Sequence, residues 1–165
     1  MSDLTFTRGN IASASAVLTA TASRLSERGE ALWPVASLTP ERLLRHYPAE
    51  GWRVAWREGQ AVGTFVLLDA DPLFWPDDPP GEALYLHKLG VHPGAQGQGL
   101  ARLLLDEAAR ETREAGGAFL RLDTAANRPK LRALYDAAGF RAVDERQVKG
   151  FQVVRYELPL AGGTP

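Results

Sequence analysis

The stretch Gln96-Gly97-Gln98-Gly99-Leu100-Ala101 limits the fold more than any other part of the chain. An apolar run ending Leu89-Gly90-Val91 precedes it, and an apolar-periodic stretch from Leu100 to Ala115 follows. A strand therefore has to become a helix through two glycines. Glycine accepts left-handed backbone and lets a ligand come close, and the first turn of the helix offers unpaired N–H groups and the positive end of its dipole. Such a junction either cradles an anion such as a phosphate or is only a strand-to-helix connection. Two other phosphate loops are excluded by the letters. A P-loop ends in Gly-Lys-Ser/Thr, whereas Gly99 is followed by Leu100-Ala101. A dinucleotide fingerprint starting at Gly97 needs glycine at 102, where Arg102 stands.

With 165 residues, 45% of them hydrophobic, the chain suits one globular domain, expected over 1–160, with 161–165 as a disordered tail. Nineteen basic and twenty acidic side chains leave a net charge of −1, so no global field favours nucleic acid and a ligand phosphate must be met locally. The chain has no cysteine, which excludes a disulfide, a thiolate nucleophile and cysteine-ligated zinc. His46, His87 and His92 are not spaced as a metal cluster, so no metal is expected. The polar stretch with Asp3 and Arg8 has no apolar signal core, and no run reaches membrane-spanning length. The expectation is a cytoplasmic chain with no membrane partner; the letters carry no signal for oligomeric state.

Along the chain, a strand at Leu4–Arg8 precedes Asn10, an N-cap for a small-residue helix ending near Gly29. Trp33 sits in an apolar connection, and Thr39-Pro40 caps and opens a second helix running to about Tyr47. Gly51–Arg57 and Ala61–Leu68 form a hairpin across Glu58-Gly59-Gln60. The segment Asp69–Gly81, with four aspartates, four prolines and Trp75, reads as a surface loop. Ala83–Val91 is the next strand. A period of two puts Leu84, Leu86 and Lys88 on one face and Tyr85, His87 and Leu89 on the other, with a bulge expected at Gly90. The helix from Leu100 stops at Gly116-Gly117. Phe119–Asp123 is a strand, Pro129–Ala138 a helix, and Phe140–Val148 with Phe151–Leu158 a final hairpin across Lys149-Gly150. This order predicts a mixed α/β fold: a mostly antiparallel central sheet with helices on both faces.

Two motifs in this order resemble the GCN5-related N-acetyltransferases. Gln96 to Ala101 is similar to their coenzyme A loop, Q/R-x-x-G-x-G/A, and Leu131 to Phe140 resembles their closing helix with its Tyr-x-x-x-Gly-Phe ending. The resemblance covers Leu4 to Leu158 and implies acetyl transfer from acetyl-CoA to an amine. It implies that Gln96, Gly97, Gln98, Gly99, Leu100 and Ala101 hold the pyrophosphate. It also implies that the main chain of Leu89 and Val91 pairs with the acetyl and pantetheine amides, and that Tyr135 protonates the departing thiolate. The alternative for Tyr135 is a packed helix tyrosine. His87, two residues before Leu89, matches a position where many members carry glutamate and the arylalkylamine acetyltransferases a histidine. It is either the base that deprotonates the acceptor or a histidine of the sheet.

One departure from the family pattern is visible. The usual asparagine seven residues before the tyrosine is here eight before, at Asn127, and Arg128 takes the expected place. Pro129 then opens the helix with Asn127 as cap or near-cap, while Arg128, Lys130 and Arg102 are candidates for coenzyme phosphates. In this family the acceptor falls to the first two helices, their connection and nearby loops. Here these bring Trp33, Trp75 and the carboxylates of Asp69–Asp78, aromatics beside acids that suit a cation, with Tyr85 shaping the pocket. Lacking cysteine and a nucleophile elbow, the chain suits direct transfer in a ternary complex. A catalytically weak acyl-CoA-binding or regulatory module of the same fold is the other class the letters allow.

Overall fold

The structure, a computed structural model, describes residues 3–160; the tail expected at 161–165 lies outside them. Its elements begin where the local chemistry starts them. The Asn10 side chain accepts from the Ser13 N–H and starts α1 (Ile11–Glu27), whose Ala14, Val17, Leu18, Thr21 and Ala22 recur at helical spacing and are buried. Thr39 caps α2 (Pro40–His46) by accepting from the Arg42 N–H, with Pro40 at the first position. Short 3₁₀ turns at Val35–Leu38 and Ala49–Gly51, not expected from the letters, tighten the connections on either side. The hairpin β2 (Trp52–Arg57) and β3 (Gln60–Leu68) turns through Glu58 and Gly59, both at positive φ. The hairpin β6 (Arg141–Val148) and β7 (Phe151–Pro159) turns in the same way through Lys149 and Gly150.

With β1 (Thr5–Arg8), β4 (Ala83–Val91) and β5 (Phe119–Ala125), these strands make a seven-stranded sheet in the order β1-β2-β3-β4-β5-β7-β6. β4 runs parallel to β5, Ala83 to Tyr85 against Phe119 to Arg121. The pairs β1·β2, β2·β3, β5·β7 and β6·β7 are antiparallel. Four α-helices occur among the described residues, α3 (Leu100–Glu114) and α4 (Pro129–Ala137) being the later two. No helix among them is long and apolar enough to cross a membrane.

The chain divides into two compact units. Among the described residues, one holds 3–67 together with Lys88–Leu104; the other holds Leu68–His87 and 105–160. In the first, Trp52, Val54, Phe65, Val66, Leu18 and Leu38 are fully buried; in the second, Leu105, Leu120, Leu122 and Tyr156 are. The boundary crosses β4 at Lys88, and that residue corrects one expectation. The residue in left-handed backbone is Lys88, at φ 55, where a lysine is strained by roughly 1–2 kcal/mol. Gly90 serves packing: a Cβ on it would stand 2.9 Å from Leu18 Cδ2. Since Lys88 separates His87 from Leu89, the two-residue alternation that put these two on one face does not run through it.

Candidate active site

In the first unit, β4 leaves the sheet at Val91, passes a 3₁₀ turn at Pro93–Ala95 and reaches the helix α3 through the glycine segment. Gly97 and Gly99 stand at φ 78 and 73, where side chains are strained, and open space surrounds the position a Cβ would take on either. Gln96 through Gly99 are exposed, while Leu100 is buried and anchors the first turn of the helix. A concave exposed backbone ahead of a 15-residue helix fits an anionic ligand. The glutamines brace this loop. Gln96 donates to the Val91 carbonyl at 3.0 Å, Thr21 donates to the same oxygen at 2.9 Å, and the Gln98 carbonyl accepts from Arg57. The Val91 carbonyl is thus already bonded within the protein.

In the second unit, the segment expected to be a surface loop folds inward at two points. Asp71 and Trp75 are buried, as is Tyr85 of β4. His87 lies 2.7 Å from Asp71 through Nε2 and Oδ2, with side-chain exposures of 14% and 7%. Asp123 of β5 joins them, and the ligand-type atoms of all three lie within 4.8 Å of one another. One imidazole nitrogen and two carboxylate oxygens form a donor set that a divalent cation accepts, as well as a setting for a proton-accepting histidine. The letters missed this cluster because its members lie far apart in the sequence.

The two tryptophans expected to offer ring faces to a substrate cation face the protein's own cations. Lys88 Nζ stands 5.3 Å from the Trp33 ring centre and 5.9 Å from that of Tyr47. Trp75 carries the Arg155 and Arg121 guanidinium groups at 4.3 and 5.1 Å. Tyr85 is committed as well: its hydroxyl donates to Asp78, and burial followed by that carboxylate pushes its ionisation well above the usual phenol range. Asp78 also meets Arg121 at 2.8 Å, and Arg121 pairs further with Glu82 and Glu157. A cavity of about 450 Å³ remains beside these groups, lined by Asp69, Asp71, Trp75, Asp78 and Tyr85 among others.

Tyr135 lies on α4 and is 6% exposed, with the Phe140 and Tyr156 rings each 5.7 Å from its own. Burial, and then the negative charge of Asp123, raise its ionisation well above the usual phenol range. It stays protonated near neutrality and is able to donate. At the start of α4, Arg128 is the N-cap and makes no side-chain capping bond, which leaves Asn127 in the near-cap position. Asn127 is exposed there and lines a cavity of about 420 Å³ with Phe151 and Gln152.

The chain matches the acetyltransferase (GNAT) family over residues 19–140, a stretch that holds both the glycine segment and Tyr135. The chain belongs to this family. A mycothiol acetyltransferase of Beutenbergia cavernae is 41% identical over 81 residues, 49% of this chain but 26% of that relative, so the chain spans about a quarter of its length. Among solved structures, yncA of Salmonella typhimurium with its cofactor acetyl-CoA superposes with a TM-score of 0.70 at 18% identity, over 99% of this chain and 98% of that one. The ribosomal-protein-S18-alanine N-acetyltransferase of Escherichia coli gives 0.70 at 18% identity, over 98% of both chains. At these identities the structures speak for a shared GNAT fold. Within this GNAT chain the position of Tyr135 ahead of Gly139-Phe140 was legible from sequence, whereas the His87–Asp71 pairing was not.

Proposed function

We propose that the chain is an acetyl-CoA-dependent N-acetyltransferase that moves the acetyl group directly to an amine of a small molecule or peptide in a ternary complex. The observation that carries this reading is the pair of left-handed, unobstructed glycines between β4 and α3, inside the stretch that matches the GNAT family. When bound, acetyl-CoA supplies the activated thioester. The backbone of Gln96 through Ala101 holds its pyrophosphate, and the main chain of Leu89 and Val91 pairs with its amides. With the Val91 carbonyl bonded to Gln96 and Thr21, that residue's share falls to its N–H.

His87 takes the proton of the acceptor ammonium, since an imidazole nitrogen with a free lone pair accepts a proton and a buried carboxylate stands against the ring. Tyr135 gives its proton to the departing thiolate; its raised ionisation keeps that proton available. Arg128 is the nearer match for the coenzyme contact, and Asn127 the second candidate. The acceptor's amine is drawn by the carboxylate of Asp69, with Trp75 and Tyr85 shaping the surroundings. The absence of cysteine supports direct transfer over a thioester intermediate.

Release of coenzyme A thiol tests the reading, and a cysteine-free chain gives no background of its own. The panel is spermidine, phenethylamine, glucosamine, an amino acid and a peptide with a free N-terminus. Saturable, amine-dependent release is expected. Tight acetyl-CoA binding with no amine-dependent release from any of them favours the binding-module class instead.

A further inference from the structure

We infer that Asp71 is a positioning residue: it holds the His87 imidazole through Nε2 and so makes Nδ1 the nitrogen that receives the acceptor's proton. The inference rests on the proposed role of His87 as the base. A carboxylate only accepts hydrogen bonds, so the ring nitrogen 2.7 Å from Asp71 Oδ2 carries the hydrogen in the neutral imidazole, and the lone pair is on the other. In the proton transfer an acceptor N–H bond breaks and an Nδ1–H bond forms. Nε2 keeps its hydrogen and Asp71 stays ionised. Asp123, from β5, is the second carboxylate facing the ring, and the two acids together offset the charge the ring gains.

Asp71 is built to hold its place. Its main-chain carbonyl accepts from the Trp75 N–H at 2.7 Å, and its Oδ1 faces the Phe74 N–H at 3.4 Å, leaving Oδ2 for the histidine. Trp75 is stacked under Arg155, which also donates to the Phe74 carbonyl at 3.2 Å, and the Phe74 ring centre lies 6.1 Å from the imidazole's. The proline-rich segment, whose Asp69 is proposed to draw the acceptor, therefore also sets the tautomer of the base through Asp71. A pairing of this kind matters through tautomer as much as through charge, because an amide in place of the carboxylate offers N–H donors and favours the wrong ring nitrogen.

The test uses the whole chain with D71N, H87Q and the double variant, and the panel amine that turns over fastest. D71N is expected to lower kcat by roughly 10- to 100-fold with acetyl-CoA affinity unchanged, and the double variant to fall no further than H87Q alone. Nitrogen-15 NMR of the wild-type ring should report the Nε2–H tautomer, and D71N should populate Nδ1–H. An Nδ1–H tautomer in the wild type, full activity in D71N, or additive losses in the double variant would overturn the positioning role. The wild-type spectrum decides the point even if D71N does not fold. Chelator-treated wild-type protein is expected to keep its rate, and loss of rate would assign the three groups to a cation instead. A wild-type rate in H87Q defeats a different claim, the base role itself.

Discussion

Gly29 and Gly99 provide a matched pair that isolates the coenzyme loop. Both stand at φ 73, and at both the position of a Cβ meets nothing within 4 Å. A glutamate at either site therefore meets no clash and suffers only the cost of left-handed backbone, about 1–2 kcal/mol. For a chain of this size that is a fall in Tm of about 2–8 °C, and the two variants should melt alike. Their coenzyme affinities should separate. Gly29 follows the last turn of α1, whereas Gly99 sits at the head of α3, where a new carboxylate faces the pyrophosphate. A like charge at about 4 Å costs about 1 kcal/mol fully in water and about 4 kcal/mol near a protein surface, so Kd should rise about tenfold or more. Differential scanning calorimetry gives the stabilities and isothermal titration with acetyl-CoA the affinities. Unchanged affinity in folded Gly99→Glu, or an equal loss in Gly29→Glu, would refute the assignment.

Further outcomes follow from single residues. Tyr135→Phe keeps the ring and removes the proton, so kcat should drop by roughly 10²-fold while acetyl-CoA affinity holds. Because its ionisation is raised, no descending limb from Tyr135 should appear in the pH–rate profile below about pH 10. Arg155 holds the Asp144 carboxyl below its ordinary range, so the folded state binds that proton less readily than the unfolded chain. The resulting stability is present above the unfolded carboxylate value, about 4, and is lost as pH falls through the lowered folded value. Asp144→Asn should cost about 1 kcal/mol near neutrality, since the pair is partly exposed, and nothing near pH 2 by urea titration. Gly90→Ala should destabilise by about 1–3 kcal/mol, because its Cβ would press on fully buried Leu18.

Much of the fold was legible because its signals are local. Asn10 and Thr39 cap with their own side chains, Pro40 and Pro129 open helices, and the two glycine-bearing turns set the hairpins. The glycine segment was legible for the same reason. Lys88 escaped because a left-handed lysine leaves no mark in the letters; only its neighbours in space determine it. Asp71 escaped because proline and aspartate around it signal solvent, while its partner is a histidine 16 residues away. The rings of Trp33 and Trp75, expected beside an acceptor cation, each meet a cation of the protein itself. Which cations occupy them depends on Lys88, Arg121 and Arg155, and composition does not tell a protein's own charge from a ligand's.

Direct acetyl transfer is tested most sharply by the intact mass of the protein after mixing with acetyl-CoA, first alone and then with the amine that turns over fastest. The prediction is an unmodified chain in both samples. Coenzyme A thiol should appear only when the amine is present, in equal amount to the acetylated amine. A chain heavier by one acetyl group, formed without the amine and discharged when it is added, would contradict transfer in a ternary complex.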